Sequence, residues 1–228
     1  MHKLLAVFAH PDDETFICGG TLAKVAKAGT QVVLICATKG EMGRRMGVPP
    51  TATRESIAAT RERELQSACK ALGIKHLHFL GFRDKTLEIQ PVETVTNLLL
   101  QYLVDERPDA VVTFHERWGG HPDHCAIGVA TTRAYAEYSK LVQGTKLYHV
   151  CSGHMIRNPE QCGLAGKLLE IDVTDCLQEK LGAFRAHLTQ SQMEDWLWED
   201  DEVSASKLWS VEYLAAAVPG GGEQPIDL

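Results

Sequence analysis

The sequence predicts an α/β fold of three layers, in which a mainly parallel sheet is covered by helices on both faces. Three observations carry this reading. Five short runs have strand length, and those at 4–9, 31–37 and 110–115 are apolar almost throughout, as strands buried on both faces require. Segments of helical periodicity separate these runs. Their βαβα succession is the pattern of parallel strands joined by crossover helices.

Residues 4–9 form the first apolar run, and residues 21–28 follow with Leu22, Val25 and Ala26 at helical spacing before Gly29. Residues 31–37, QVVLICA, are the second buried strand. The Gly-rich stretch TKGEMGRRMGVPPTAT behind it is too long for a minimal connection. Residues 54–72 are the longest helix of this half, with Ile57, Arg61, Leu65, Ala68 and Leu72 on one face and Gly73 at its end. The run HLHFLGF holds a third strand. A helix starts at Pro91, continues through Val92, Val95, Leu98, Leu99 and Tyr102, and stops before Pro108. Residues 110–115 give a fourth strand, 123–138 a helix and 145–151 a fifth strand. From about residue 152 the pattern loosens, and GHMIRNPEQCGLAGKLLEI reads as a connection, an irregular excursion or a short strand pair. Residues 174–188 read as helical, 204–217 as a second helix, and VPGGGEQPIDL as a flexible end. With no repeat and no linker, residues 1–228 are expected to form one domain.

Composition narrows the function classes. The net charge of -7 and the lack of any basic block argue against broad nucleic-acid binding. Seven cysteines, an odd number with no CxxC pair, do not make a disulfide framework. The N-terminal LLAVFA run is strand length and passes into polar residues. Neither a signal peptide nor a membrane span is expected, and the cytoplasm is the default location.

Two polar clusters stand at strand ends. AHPDDE, residues 9–14, follows the first strand, and FHERWGGHPDH, residues 114–124, ends the fourth. In a Rossmann-like strand order of 3-2-1-4-5 these two ends flank the crevice where open α/β sheets bind ligands. Both clusters therefore converge on one place, although a hundred residues separate them. Imidazole and carboxylate suit zinc: His10, Asp13 and His124 make a three-ligand set that leaves a fourth position for water, which is a catalytic arrangement. An ion so held lowers the pKa of water and polarises a carbonyl. Asp12 adjoins the ligands without being needed as one and is the candidate general base. His121 is placed to donate to a developing oxyanion or to a leaving nitrogen. Asp123 is expected to orient an imidazole through its second ring N–H, with the choice of ring left open. Arg61 lies inside an apolar stripe and either snorkels outward or meets a buried anion; the reading taken is site-facing, toward a substrate hydroxyl or a ligand carboxylate. Glu64, one turn on, either pairs with it or addresses the same site.

AHPDDE followed by GGTLAK, RERELQSACKALGI, LGFRD and GGHPDH resembles the LmbE-like zinc de-N-acetylases. The matches run from residue 5 to about 130, with a weaker echo in KLGAFRAHLTQ at 180–190. The resemblance implies an LmbE-like, Rossmann-like fold and zinc-dependent hydrolysis of an N-acetyl group, commonly on glucosamine. It carries the ligand roles to His10, Asp13 and His124, the base to Asp12, and the oxyanion or leaving-group role to His121. It also places Arg61 and Asp84 among substrate-binding residues, and matches His187 to a late histidine of the pattern. Glu14 is read either as a first-turn charge or as a further substrate contact. The portion from about residue 152, where aglycone recognition would reside, departs from any one subfamily. Related enzymes are often oligomeric, so a homo-oligomer stays open.

Some neighbouring residues carry blander readings. His115 and Glu116 are either site residues or satisfied strand-end groups, and Trp118 is either pocket rim or packing. His76, His78, Cys36, Cys69 and Cys125 read as structural. The expectation is a hydrolase, dependent on Zn2+ or another divalent metal, that removes acetyl from an N-acetylglucosamine-type sugar or glycoconjugate. The alternatives are a metal-dependent amidohydrolase on a non-sugar N-acyl substrate, or a noncatalytic carbohydrate- or metal-binding protein. A nucleotide-binding oxidoreductase fits poorly, because the first strand lacks GxGxxG and its acids would repel a pyrophosphate.

Overall fold

The computed structural model describes residues 1–217. Among the described residues, seven strands form one sheet: β1 (Lys3–Phe8), β2 (Gln31–Cys36), β3 (His76–Phe79), β4 (Ala110–Phe114), β5 (Lys146–Val150), β6 (Leu168–Asp172) and β7 (Val211–Ala216). Their order is β3-β2-β1-β4-β5-β7-β6. The first five are parallel, and β7 is antiparallel to both β5 and β6. The helices are α1 (Asp13–Lys27), α2 (Ile57–Ala71), α3 (Val92–Glu106), α4 (Pro122–Tyr138), α5 (Gly153–Arg157), α6 (Leu177–Ala186), α7 (Leu188–Ser191) and α8 (Asp201–Ser206). Right-handed crossovers put α1 and α2 on one face of the sheet, and α3 and α4 on the other. Helix α6 packs against α1 and α2.

The expected 3-2-1-4-5 order holds, and with it the reversal between β1 and β4. Those two strands are buried almost throughout, with Leu5, Ala6, Phe8 and Val111 fully so. Phe8 and Phe114 lock the pair edge to face, with ring centroids 5.2 Å apart. Helix α4 approaches β4 closely because residue 128 is glycine; a Cβ there would lie 2.5 Å from the Phe114 carbonyl oxygen. That close approach carries the N-terminal end of α4, with His121, Asp123 and His124, over the switch point.

The C-terminal part corrects two expectations. Residues 204–217 are not one helix: α8 ends at Ser206 and β7 begins at Val211. The run VEYLAA buries Glu212, Leu214 and Ala215 while filling the slot between β5 and β6, so sheet pairing overrides its helical composition. The ambiguous stretch after residue 152 contains α5 and strand β6, which is half of an antiparallel pair. The expected helix over 174–188 is α6, broken at His187 before the short α7. Helix α1 also begins earlier than its periodicity suggested, at Asp13, with a kink at Cys18. The expected flexible end, VPGGGEQPIDL, lies outside the described residues. Among the described residues, no helix is long and apolar enough to cross a membrane.

Candidate functional site

The turn between β1 and α1 sets the site's geometry. After Pro11, Asp12 stands at the N-cap of α1 in a left-handed conformation, φ 110° and ψ -26°. A non-glycine residue is held there only by surrounding contacts. Two hold Asp12: its N–H donates to Glu14 Oε2 at 3.0 Å, and its Oδ2 accepts from Arg61 Nη2 at 2.9 Å. Asp13, the first helical residue, accepts the N–H groups of Ala9 and His10 on Oδ2, at 3.2 and 2.7 Å. Its Oδ1 is thereby left facing the crevice.

Three donor atoms meet there. His10 Nδ1 is 3.1 Å from His124 Nε2, which is 3.1 Å from Asp13 Oδ1. His10 Nδ1 is 3.6 Å from the second oxygen of Asp13. Bonds of about 2.0–2.2 Å to a tetrahedral ion put neighbouring donors roughly 3.3–3.5 Å apart, so the spacing fits a divalent metal. Each imidazole is also turned the right way. His10 backs its Nε2 against Asp84 Oδ1 at 3.1 Å and Asp123 Oδ2 at 3.2 Å, while His124 places Nδ1 2.9 Å from the Gly119 carbonyl. The ring of His124 stacks on Phe114 with centroids 3.9 Å apart. Outer-side hydrogen bonds of this kind free the inner nitrogens for a cation. Donor atoms of His10, His121 and His124 lie within 4.8 Å of one another, as do those of His10, Asp84 and Asp123.

The electrostatics call for positive charge. Burial opposes a charged His10, yet hydrogen bonds to Asp123, Asp13 and Asp84 outweigh it and carry its pKa up to about 12. Burial likewise opposes charge on Asp13, but His124 and His10 hold its carboxyl far below the usual range. His124 is raised against its own burial by Asp13. Imidazoles driven to keep protons by surrounding carboxylates mark a place where a metal cation can supply that charge and leave the rings neutral. Asp12 differs: burial pushes its carboxyl up to about 6, against the pull of Arg61. Burial, and then His10 and His124, lower His121. Its Nδ1 accepts the Asp123 N–H at 3.1 Å, which leaves the neutral ring's proton on Nε2.

A cavity of about 520 Å³ opens over these groups, lined by His10, Asp12, Asp13, His121 and His124. Phe16, Met42, Gly43, Arg44, Lys85 and Gln190 also line it, together with the buried Arg61 and Asp84. The volume is that of a small-molecule site.

Several expected residues stand elsewhere than anticipated. Glu14 is not a substrate contact: it is 1% exposed, and its Oε1 lies 2.7 Å from Nε2 of the fully buried His187. Asp84 borders the cavity, but both its oxygens are taken, one by His10 and the other by the Met42 N–H at 2.9 Å. Its partners in the structure are protein groups, and it holds the His10 imidazole. Arg61 meets the carboxylate alternative instead of a substrate hydroxyl, donating to Asp12, Pro11 O and Gly40 O. Glu64 binds neither Arg61 nor the cavity; it accepts the N–H and hydroxyl of Thr189, both at 2.7 Å. Asp123 orients His10 and is itself fixed by the N–H groups of Lys85 and Leu87. Trp118 packs in a small cluster with Met155 and Leu164, and His115 accepts the Arg117 N–H, so both take their structural readings. Sequence reasoning missed the Glu14–His187 pair and Gly40, whose carbonyl anchors Arg61. Glu14 was visible only as one more acid in a row, and Gly40 only as a glycine in a loop.

Known proteins place the chain in a family. The family model described as "PIG-L: GlcNAc-PI de-N-acetylase" matches residues 5–135. A probable N-acetyl-alpha-D-glucosaminyl L-malate deacetylase 2 of Bacillus cereus is 36% identical over 189 residues, covering 83% of this chain and 84% of that protein. A 1D-myo-inositol 2-acetamido-2-deoxy-alpha-D-glucopyranoside deacetylase of Actinosynnema mirum is 32% identical over 249 residues, covering 90% and 84%. The solved N,N'-diacetylchitobiose deacetylase of Pyrococcus horikoshii shares the fold with a TM-score of 0.70 at 24% identity, over 94% of this chain and 83% of that one. The resemblance carried by AHPDDE and GGHPDH is thus a family relationship, and the chain belongs to the PIG-L, LmbE-like, de-N-acetylase family.

Proposed function

We propose that the protein is a metal-dependent hydrolase that removes the acetyl group from an N-acetylglucosamine-type sugar or glycoconjugate. The observation that carries this is the meeting of His10, Asp13 and His124 beside Asp12 and His121, under one cavity, in a chain of this family. His10, Asp13 and His124 would hold the ion. Zinc suits two imidazoles and one carboxylate, and another divalent metal is the alternative. When bound, the metal supplies a Lewis acid that polarises the amide carbonyl and acidifies water.

The chain's own groups do the rest. Asp12 takes the proton of the attacking water and returns it to the nitrogen as the C–N bond breaks, giving acetate and the free amine. His121 donates Nε2–H to the carbonyl oxygen as negative charge grows there. Asp84, Asp123 and the Gly119 carbonyl keep the imidazoles in place, while Arg61 keeps Asp12 aimed. The chain is read as one domain, with the portion beyond about residue 152 reaching the cavity through Gln190. The seven cysteines, all free, fit the reducing cytoplasm expected from the sequence.

Two measurements test this reading. Zinc-loaded protein should release acetate from N-acetylglucosamine glycosides, and chelation should lower the rate more than about 100-fold, restored by zinc. Acetate release from other N-acylamides but not from sugars would overturn the substrate assignment. The second is Gly40→Ala. A Cβ at residue 40 would lie 2.0 Å from Arg61 Nη1, and the backbone there has φ +62°. Displacing Arg61 should misplace Asp12 and lower kcat by about 10- to 100-fold, with metal content unchanged by elemental analysis.

A further inference from the structure

We infer that His187 is a positioning residue for Asp12: through Glu14 it holds the turn that carries the base in its left-handed conformation. This rests on the reading of Asp12 as the base of the deacetylation site and adds a residue that does not line the cavity.

Glu14 is 1% exposed and accepts three hydrogen bonds. Its Oε2 takes the Asp12 N–H at 3.0 Å, and its Oε1 takes the Thr15 hydroxyl and Nε2 of His187, the latter at 2.7 Å. A carboxylate has no proton to give, so the imidazole Nε2–H is the donor. Among the described residues Nδ1 of this fully buried ring has no partner, and the contact with Glu14 is the side chain's one hydrogen bond. A buried carboxylate stays in place only while donors surround it. Asp12 and Thr15 belong to the same turn as Glu14 and move with it. His187 is the donor that comes from elsewhere in the fold.

His187 is itself a fixed point. It stands at the break between α6 and α7 with φ -80° and ψ 55°, and its carbonyl accepts the N–H groups of Gln190 and Ser191, both at 2.9 Å. Two residues on, Thr189 gives its N–H and hydroxyl to Glu64 of α2. Arg61, one turn before Glu64 on that helix, donates to Asp12 Oδ2. Asp12 is thus gripped twice from α2: on its side chain by Arg61, and on its backbone by way of Thr189, His187 and Glu14. A non-glycine residue at φ 110° persists only under such double constraint. The backbone bonds of His187 survive any substitution, so the share of its ring can be removed alone.

The test compares His187→Leu with His187→Gln in zinc-loaded protein acting on an N-acetylglucosaminide, below the melting temperature of every variant. Leucine donates nothing, whereas glutamine puts an amide N–H near the place of Nε2. His187→Leu should lower kcat by about 10- to 100-fold with KM and metal content unchanged, as misplacing a reacting group by about 1 Å does. His187→Gln should restore most of that loss. If leucine prevents folding, His187→Asn, too short to reach Glu14, takes its place. In an Asp12→Asn background, read in single turnovers, the same substitution should lower the rate by less than about twofold, because no base is left to position. The ring edge also lies 6.4 Å by centroids from Phe16, which lines the cavity. An effect through Phe16 would raise KM and spare kcat. That outcome, an undiminished loss in the Asp12→Asn background, or glutamine no better than leucine would overturn the inference.

Crystal structures of the zinc-loaded variants separate this from the reaction itself. If the wild-type protein releases acetate from no sugar, the deacetylase reading fails, and the turn still decides the positioning. Asp12 should leave its left-handed conformation or lose Arg61 in the leucine variant, and keep both in the glutamine variant. An Asp12 unmoved in the leucine variant rejects the role of His187.

Discussion

Asp12→Asn should lower kcat by about 10²- to 10⁴-fold while leaving metal content, KM and melting temperature close to wild type. The choice of asparagine matters. Asp12 has φ 110°, and asparagine tolerates left-handed backbone better than most residues, so the turn need not rearrange. The amide keeps an oxygen to accept from Arg61 Nη2, and the backbone N–H keeps its bond to Glu14. What disappears is the ability to take a proton. Because that ability is used on the reacting water and nitrogen, the loss belongs in kcat. Alanine would confuse the result by freeing Arg61 and straining the turn. Steady-state kinetics with elemental analysis of the same samples is the check. Near-wild-type turnover with the metal fully bound would remove Asp12 from the mechanism and leave His121 as the proton carrier to examine.

Much of this site was legible because its signals are local. Strand-length apolar runs fixed β1 and β4, and the acids and histidines stand within a few residues of their ends. The strand-order rule then joined two motifs that no local pattern connects. Roles that depend on a partner's direction were not legible. Arg61, Asp84 and Glu14 are each recognisable as belonging near the site, and for each a substrate contact is among the readings the sequence offers. In the structure each faces a protein group instead: Asp12, His10 and His187. A charged side chain beside a motif looks the same in sequence whether it greets a ligand or buttresses a neighbour. Residues 204–217 failed for a related reason. Their composition suits a helix, but the vacancy between β5 and β6 is a tertiary fact, and pairing in it outweighs local propensity. Strand β6 escaped because its pairing partner lies some forty residues further along the chain.

The same C-terminal strand predicts the largest loss of stability. Glu212→Gln should destabilise the protein by roughly 3–5 kcal/mol, because it leaves a buried ammonium without its counter-charge. Glu212 is 3% exposed on β7, and its Oε1 lies 2.7 Å from Nζ of Lys180, itself 2% exposed on α6. The carboxylate also closes a gap in α1. Cys18, with φ -144°, interrupts that helix, and the N–H groups of Gly20 and Thr21 donate to Glu212 at 2.9 and 2.7 Å. One side chain thus ties β7, α6 and the broken α1 together, and the other end of α1 carries Asp13. A glutamine can accept one of those N–H groups but turns its own NH2 toward the remaining donors. For a chain of this size the loss corresponds to a fall in melting temperature on the order of 10 °C. The ion pair need not be strongly stabilising for this to hold, since the cost comes from orphaning one partner. The double variant Glu212→Gln with Lys180→Met should therefore recover part of the loss, as the unpaired charge is gone. Thermal and urea unfolding of the three proteins decides between the accounts. A double variant less stable than Glu212→Gln alone would show that Lys180 contributes through packing and its 3.3 Å bond to the Trp209 carbonyl, and not through its charge.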